Sequence, residues 1–256
     1  MSGFDRYDKV LRLFTAQKST WTVAEITGEL GTTSSTTYRT VRELVAAGLL
    51  ESTVASSFRL GPAFLEYEHL MRETDPLVRS GAVFLEILVE QLDVPCSSFL
   101  ARLYGEKVMC VAEARAPDMT LQTSYRRGRP MPILRGATSK AILATLSTRP
   151  RERLVHKLAD SGSDGVTDLL RELMSIRKSR LSVTFGEVDT GAVGIAAPIE
   201  NKPLGINASL SVVLRSEDFN EPVKVRVFSL LSTNAKLIEN FMDDAQNELE
   251  RRSGAA

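Results

Sequence analysis

Apolar residues recur at helical spacing over 5–16, where Tyr7, Val10, Leu11 and Phe14 form one stripe and predict an amphipathic helix. A second helix opens at Thr22-Val23-Ala24-Glu25, a hydroxyl followed three residues later by a carboxylate, which suits a reciprocal cap. It buries Val23, Ile26 and Leu30. Gly31 closes that helix, and Thr33 is placed to cap a third one from Ser34. On the third helix Thr37, Val41, Leu44, Val45 and Gly48 share one sector, the face packed on the first two helices. The opposite sector holds Ser35, Arg39, Arg42 and Ala46. Three short helices with a tight turn between the last two describe a helix-turn-helix, and 49–52 and 57–60 read as the strands of a wing around a tip at 53–56.

Beyond Gly61-Pro62 the pattern predicts a linker helix with Phe64, Tyr67, Leu70 and Met71 on one stripe, stopped by Asp75-Pro76. A connector with little else to bury such a stripe meets a second copy of itself. Next come a helix over 77–92 and β-prone stretches over 96–104, 107–114 and 121–126, then helices over 137–146, 151–159 and 168–178. Strands over 181–186, 193–199 and 204–214 precede a closing helix over 218–249. Sheet and helices mixed without regular alternation make an α+β chain. The expected divisions are a winged helix-turn-helix over 1–61, a linker helix over 62–76 and a ligand-binding domain over 77–252.

Composition narrows the chemistry. Cys96 and Cys110 lie in apolar, strand-like stretches and read as buried reduced thiols, while His69 and His156 are isolated, so a zinc site of the usual composition cannot be assembled and no cofactor is implied. No apolar run approaches a membrane span, and Asp5, Arg6, Asp8 and Lys9 stand where a signal core would be apolar. The expectation is a cytoplasmic protein with no membrane partner. Formal net charge is zero, so any attraction to nucleic acid must come from a local surface. The outward face of the third helix is that surface. Ser34, Ser35 and Thr36 offer short hydroxyls, Tyr38 flanks them, and Arg39 and Arg42 suit guanine edges or phosphates in the major groove of double-stranded DNA. Arg59 on the returning wing strand is a further phosphate contact.

The run GTTSSTTYRTVRELVAAGLLES followed by FRLGPAF resembles the winged helix of the IclR family of transcription regulators, in a recognition helix with Ser35, Thr36, Tyr38 and Arg39 and a wing returning through Leu60-Gly61. The phrases RRGRPMPILRGATSKAILA, FGEVDTGAVGIAAPI and LGINASLSVVL are similar, in order, to the three signature stretches of the family's effector domain. The resemblance implies a GAF- or profilin-like C-terminal domain, a small organic acid as effector, repression as the usual mode, and a homodimer or a dimer of dimers. The chain departs from the family at Thr32, Thr40 and Thr53, and at Thr184, where some relatives are acidic, and Arg135, where a small residue or cysteine is common.

The candidate effector site starts from Gly136-Ala137-Thr138 at a helix start, where unsatisfied N–H groups and the positive dipole end favour a carboxylate. Ser209 and Ser211 alternate onto one strand face and Ala192 and Gly194 flank a turn. The resemblance brings these segments together with Thr184, with Met131 and Ile133 as an apolar wall. The same residue types also serve as ordinary helix caps and sheet hydroxyls. The rival function is an enzyme acting on a small carboxylate in this cavity. It has no base to name, because neither histidine falls in a pocket segment and no nucleophile elbow is present.

Overall fold

The structure, a computed structural model, describes residues 3–159 and 163–253. It divides into two compact units, Met1–Thr74 and Asp75–Ala256.

In the first unit, helices α1 (Gly3–Leu11), α2 (Val23–Leu30) and α3 (Ser34–Ala46) pack with an antiparallel sheet of β1 (Trp21–Thr22), β2 (Leu50–Ser52) and β3 (Ser57–Leu60), in the order β1-β3-β2. Val10, Trp21, Ile26, Val41, Leu44 and Leu50 make its core. The reciprocal cap forms: the Thr22 N–H donates to Glu25 Oε2 at 2.8 Å and the Glu25 N–H to Thr22 Oγ1 at 3.3 Å. The Thr33 hydroxyl caps α3 by accepting from the Thr36 N–H. Two features differ from expectation. Helix α1 stops at Leu11, because the following turn directs the Leu13 carbonyl to the Trp21 indole N–H at 3.0 Å. Strand β1 is too short for any periodicity to announce it. At the base of the wing, a Cβ on Gly61 would sit 2.2 Å from the Gly48 carbonyl oxygen, so only glycine lets the returning strand pass there. Helix α4 (Ala63–Thr74) ends the unit with Phe64, Leu65, Tyr67, Leu70 and Met71 exposed.

The second unit begins with α5 (Pro76–Leu92), capped by Asp75, whose carboxylate accepts from the Leu77 and Val78 N–H groups. Among the described residues its antiparallel sheet runs β6-β5-β4-β9-β8-β7, from β4 (Cys96–Tyr104), β5 (Lys107–Arg115), β6 (Pro130–Met131), β7 (Ser182–Phe185), β8 (Ala192–Asn201) and β9 (Ile206–Arg215). One face is covered by α5 and by α9 (Glu221–Ser253), through Leu88, Leu100, Ile195, Leu210, Val212, Leu231 and Ile238. The other face carries α6 (Ala137–Thr145), backed by α7 (Thr148–Leu158) and α8 (Ser163–Ser179). The strand expected over 121–126 does not form. Arg115 donates to the carbonyls of Met119 and Leu121, and the Thr123 hydroxyl to that of Tyr125, which folds the segment into turns. Helix α9 starts at Glu221 rather than 218 because 216–218 form a 3-10 turn beside the Arg215–Asp218 ion pair. No helix among the described residues is long and apolar enough to cross a membrane.

Candidate functional site

Helix α3 buries Thr37, Thr40, Val41 and Leu44, and the Thr40 hydroxyl is satisfied by the Thr36 carbonyl at 2.9 Å. A threonine therefore fits a position that is apolar in the resembled pattern. Turned outward are Ser34, Ser35, Tyr38, Arg39 and Arg42, with Thr36 half-buried at the cap. Glu43 accepts from the Tyr7 hydroxyl, which ties α3 to α1, and lies 4.0 Å from the Arg39 guanidinium, too loose a pair to hold that side chain away from a new partner. Arg59 differs. Although exposed, it is ion-paired across the wing with Glu51, so a phosphate would compete with a carboxylate already in place.

In the second unit α6 is preceded by its N-cap Gly136, whose φ of 83° is open to glycine. Its first amides are occupied. The Gly136 N–H donates to Glu187 Oε2 at 2.9 Å and the Ala137 N–H to Thr184 Oγ1 at 3.0 Å. The other Glu187 oxygen accepts from Lys140 Nζ at 2.7 Å, and Lys140 also reaches Glu172 at 2.9 Å. Burial pulls the Lys140 ammonium downward, but the hydrogen bonds to Glu187 and Glu172 outweigh it and leave the group raised. Arg135 is exposed and donates to the Glu187 carbonyl, so it does not point into the fold.

Thr184, Ala192 and Gly194 line a cavity of about 20 Å³ with Tyr125, Val188, Asp189 and Val213. Tyr125 is 4% exposed, its ring is 5.2 Å from that of Phe99, and its hydroxyl is within hydrogen-bonding reach of Thr138. Burial pushes this phenol up to about 12. Met131 instead lines an outer cleft of about 410 Å³ with Ser124, Arg129, Arg135, Glu187 and Val188. Ile133 lines a third cleft, beside Lys140 and Glu172. The three segments do not converge as expected, and Ser209 and Ser211 correct the picture most. Both are fully buried and bonded to each other, Oγ to Oγ at 3.3 Å, and neither lines the cavity or the two clefts just described. Register explains this. Ser211 pairs with Ala196 and Phe99, which face α6, so the serines lie under the close contact that Ala137, Ala141 and Ala196 make between α6 and the sheet.

Residues 72–240 match the family model described as the bacterial transcriptional regulator IclR C-terminal domain, and residues 5–53 match the IclR helix-turn-helix domain. The chain belongs to the IclR family of transcriptional regulators. The IclR family consists of regulators, not enzymes, which removes the catalytic alternative. Among curated relatives, the HTH-type transcriptional regulator KipR of Bacillus subtilis is 25% identical over 221 residues, 83% of this chain and 85% of that protein. The probable HTH-type transcriptional regulator ArcR of Halobacterium salinarum is 25% identical over 197 residues, 75% of this chain and 74% of that protein. Among solved structures, an IclR homolog from Microbacterium hydrocarbonoxydans complexed with 4-hydroxybenzoate superposes with a TM-score of 0.77 at 22% identity, covering 95% of this chain and 100% of that one. An IclR transcriptional regulator from Alicyclobacillus acidocaldarius gives 0.75 at 18%, covering 93% and 98%. The first unit is thus an IclR DNA-binding helix-turn-helix and the second an IclR effector-binding domain.

Tyr125, Glu187, Val188, Asp189 and Val213 line the cavity beside the start of α6 without having been singled out by the sequence pattern. Glu187 and Val188 stand inside the quoted FGEVDTGAVGIAAPI phrase, whereas Tyr125 lay in a stretch read as a strand.

Proposed function

We propose that this regulator represses transcription as a homodimer on a near-palindromic operator and is released by a small organic acid whose carboxylate binds at the start of α6. The observation that carries the ligand reading is the pairing of the Gly136 N–H with the Glu187 carboxylate. The position already holds an internal anion, where backbone donors and the helix dipole favour negative charge. An effector carboxylate displaces Glu187 from it, and the Thr184 hydroxyl, Ala192 and Gly194 line the adjoining space. The 4-hydroxybenzoate held by the Microbacterium relative supports an aromatic acid as the class to try first. On the DNA side, Arg39 and Arg42 read base edges while Ser34, Ser35, Thr36 and Tyr38 hold the backbone. Arg59 takes a phosphate only by exchanging Glu51 for it. The dimer rests on the exposed stripe of Phe64, Tyr67, Leu70 and Met71.

A thermal-shift screen of small aliphatic and aromatic carboxylates tests the ligand reading. A binder at a hundredfold excess over its Kd stabilises the protein by about 2.7 kcal/mol and loosens the complex with the promoter beside the gene. If no carboxylate does either, the reading fails.

A further inference from the structure

A further cleft, of about 260 Å³, lies on the α6 side of the sheet at β4 and β5, lined by Ser97, Phe99, Glu113, Thr123, Tyr125 and Arg126 among others. Its floor carries a buried hydroxyl that faces the cleft. Ser97 is 2% exposed and its Oγ has no hydrogen-bond partner, which is costly for a buried hydroxyl unless something enters the cleft to meet it.

The cleft and the cavity at the start of α6 lie over the same face of the sheet and share Tyr125 as a wall. Ser97 pairs with Val213 across β4 and β9, and Val213 with Gly194 across β9 and β8, so Ser97, Val213 and Gly194 form one row on one face. Two strand spacings put its ends roughly 10 Å apart. Tyr125 stands between them and lines both. Its ring lies against Phe99 and its hydroxyl reaches towards the helix start, within 2.7 Å of where a Gly136 Cβ would be. The space it fills has the shape of an aromatic ring with a polar group at the α6 end.

We propose that Tyr125 is an internal occupant and gate of the effector site, and that the effector is an elongated aromatic carboxylate whose far end carries a hydrogen-bonding group for Ser97. This rests on the α6 start being the carboxylate seat. When the ligand enters, its ring takes the place of the Tyr125 ring against Phe99 and the two cavities become one. Its carboxylate meets the Gly136 and Ala137 amides, and its distal group satisfies the Ser97 hydroxyl. Ser97 thereby sets selectivity among aryl acids.

Calorimetry with cinnamate and 4-hydroxycinnamate tests this on the parent chain and on Ser97→Ala, Tyr125→Phe and Tyr125→Ala. The parent binds the hydroxylated acid roughly tenfold more tightly, the worth of one buried hydrogen bond, and Ser97→Ala binds the two alike. Both tyrosine variants bind both acids more tightly than the parent does, Tyr125→Phe keeping the ring volume in case the alanine fails to fold. In the parent, saturating 4-hydroxycinnamate brings one phenol down from about 12 towards the ordinary tyrosine range, a change absent from Tyr125→Phe. A preference that survives Ser97→Ala, or tyrosine variants no tighter than the parent, overturns the proposal. If pyruvate binds while neither aryl acid binds any of the four proteins, the gate falls and the carboxylate seat stands. If no carboxylate binds at all, the seat falls too.

Discussion

Gly194→Ala separates a filled ligand seat from a damaged fold. Gly194 lies in β8 with ordinary strand backbone, and a Cβ there would be 3.4 Å from Thr184 Oγ1 and 3.5 Å from the Ala137 Cβ, both normal van der Waals contacts. Replacing glycine by alanine at a compatible site stabilises by about 0.4–1 kcal/mol through the unfolded chain, which at this length raises Tm by about 1–4 °C. The same methyl enters the cavity of about 20 Å³ against the oxygen that now accepts from Ala137. A carboxylate found by thermal shift should then bind at least tenfold more weakly by calorimetry, a loss of about 1.4 kcal/mol, with operator affinity unchanged in its absence. Ala137→Leu is a harsher variant, because Ala137 is buried in the α6–β8 contact with Ala141 and Ala196. Its added volume costs about 1–3 kcal/mol of overpacking. If Gly194→Ala binds the acid as the parent does, the seat lies elsewhere. If it loses more than about 2 kcal/mol of stability, far outside the gain expected at such a site, the α6–β8 packing described here is wrong.

Arg39→Ala should weaken operator binding by about 1–3 kcal/mol, roughly 5- to 150-fold, with an unchanged circular dichroism melt; an intact footprint would remove Arg39 from the reading face. Leu70→Asp, at an exposed position on α4, should convert a dimer to a monomer in sedimentation without unfolding the chain, and an unaltered dimer would place the interface elsewhere. Lys140→Met strands the Glu172 and Glu187 carboxylates. A fully buried pair costs about 3–5 kcal/mol to break, and because both carboxylates are about a third exposed to screening water, the loss should be nearer about 2 kcal/mol in denaturant titrations. Since the folded Lys140 is raised, its stabilisation is complete below the unfolded lysine value of about 10.4 and fades as pH climbs through the folded one. The gap between parent and variant should therefore close only at strongly alkaline pH, and closure near neutrality would contradict the ion-pair assignment. Cys96 and Cys110, pushed by burial to about 12, should resist alkylation in the native protein at pH 8, and rapid labelling would refute their burial.

What could be read from the chain and what could not divide along a physical line. Helix α3 was legible because cap, apolar sector and polar sector are all local, and β4 because an apolar β-prone run ends at a Gly-containing turn. Thr40 was not, since its hydroxyl bonds within its own helix and so reads as polar while packing as core. Alternation correctly put Ser209 and Ser211 on one face, but alternation does not say whether a cavity or a helix covers that face. The answer comes from Ala137 and Ala141, distant in sequence. The segment holding Tyr125 defeated a local reading for the same reason. Its Thr and Tyr residues favour strands, yet Arg115, Phe99 and Thr138 fix it as a loop laid over the sheet. Glu187 stands inside a signature stretch, but only its contact with the Gly136 amide places it at the start of α6.

If the first unit reads an operator, a carboxylate bound in the second should change that reading. Fluorescence anisotropy of a labelled promoter fragment, titrated with the protein at fixed salt with and without the acid selected by thermal shift, measures both at once. Operator-specific binding is expected, with an affinity that drops at least tenfold when the acid is present, about 1.4 kcal/mol of coupling. Specific binding that the acid leaves unchanged, with the acid itself bound at saturation, would contradict it.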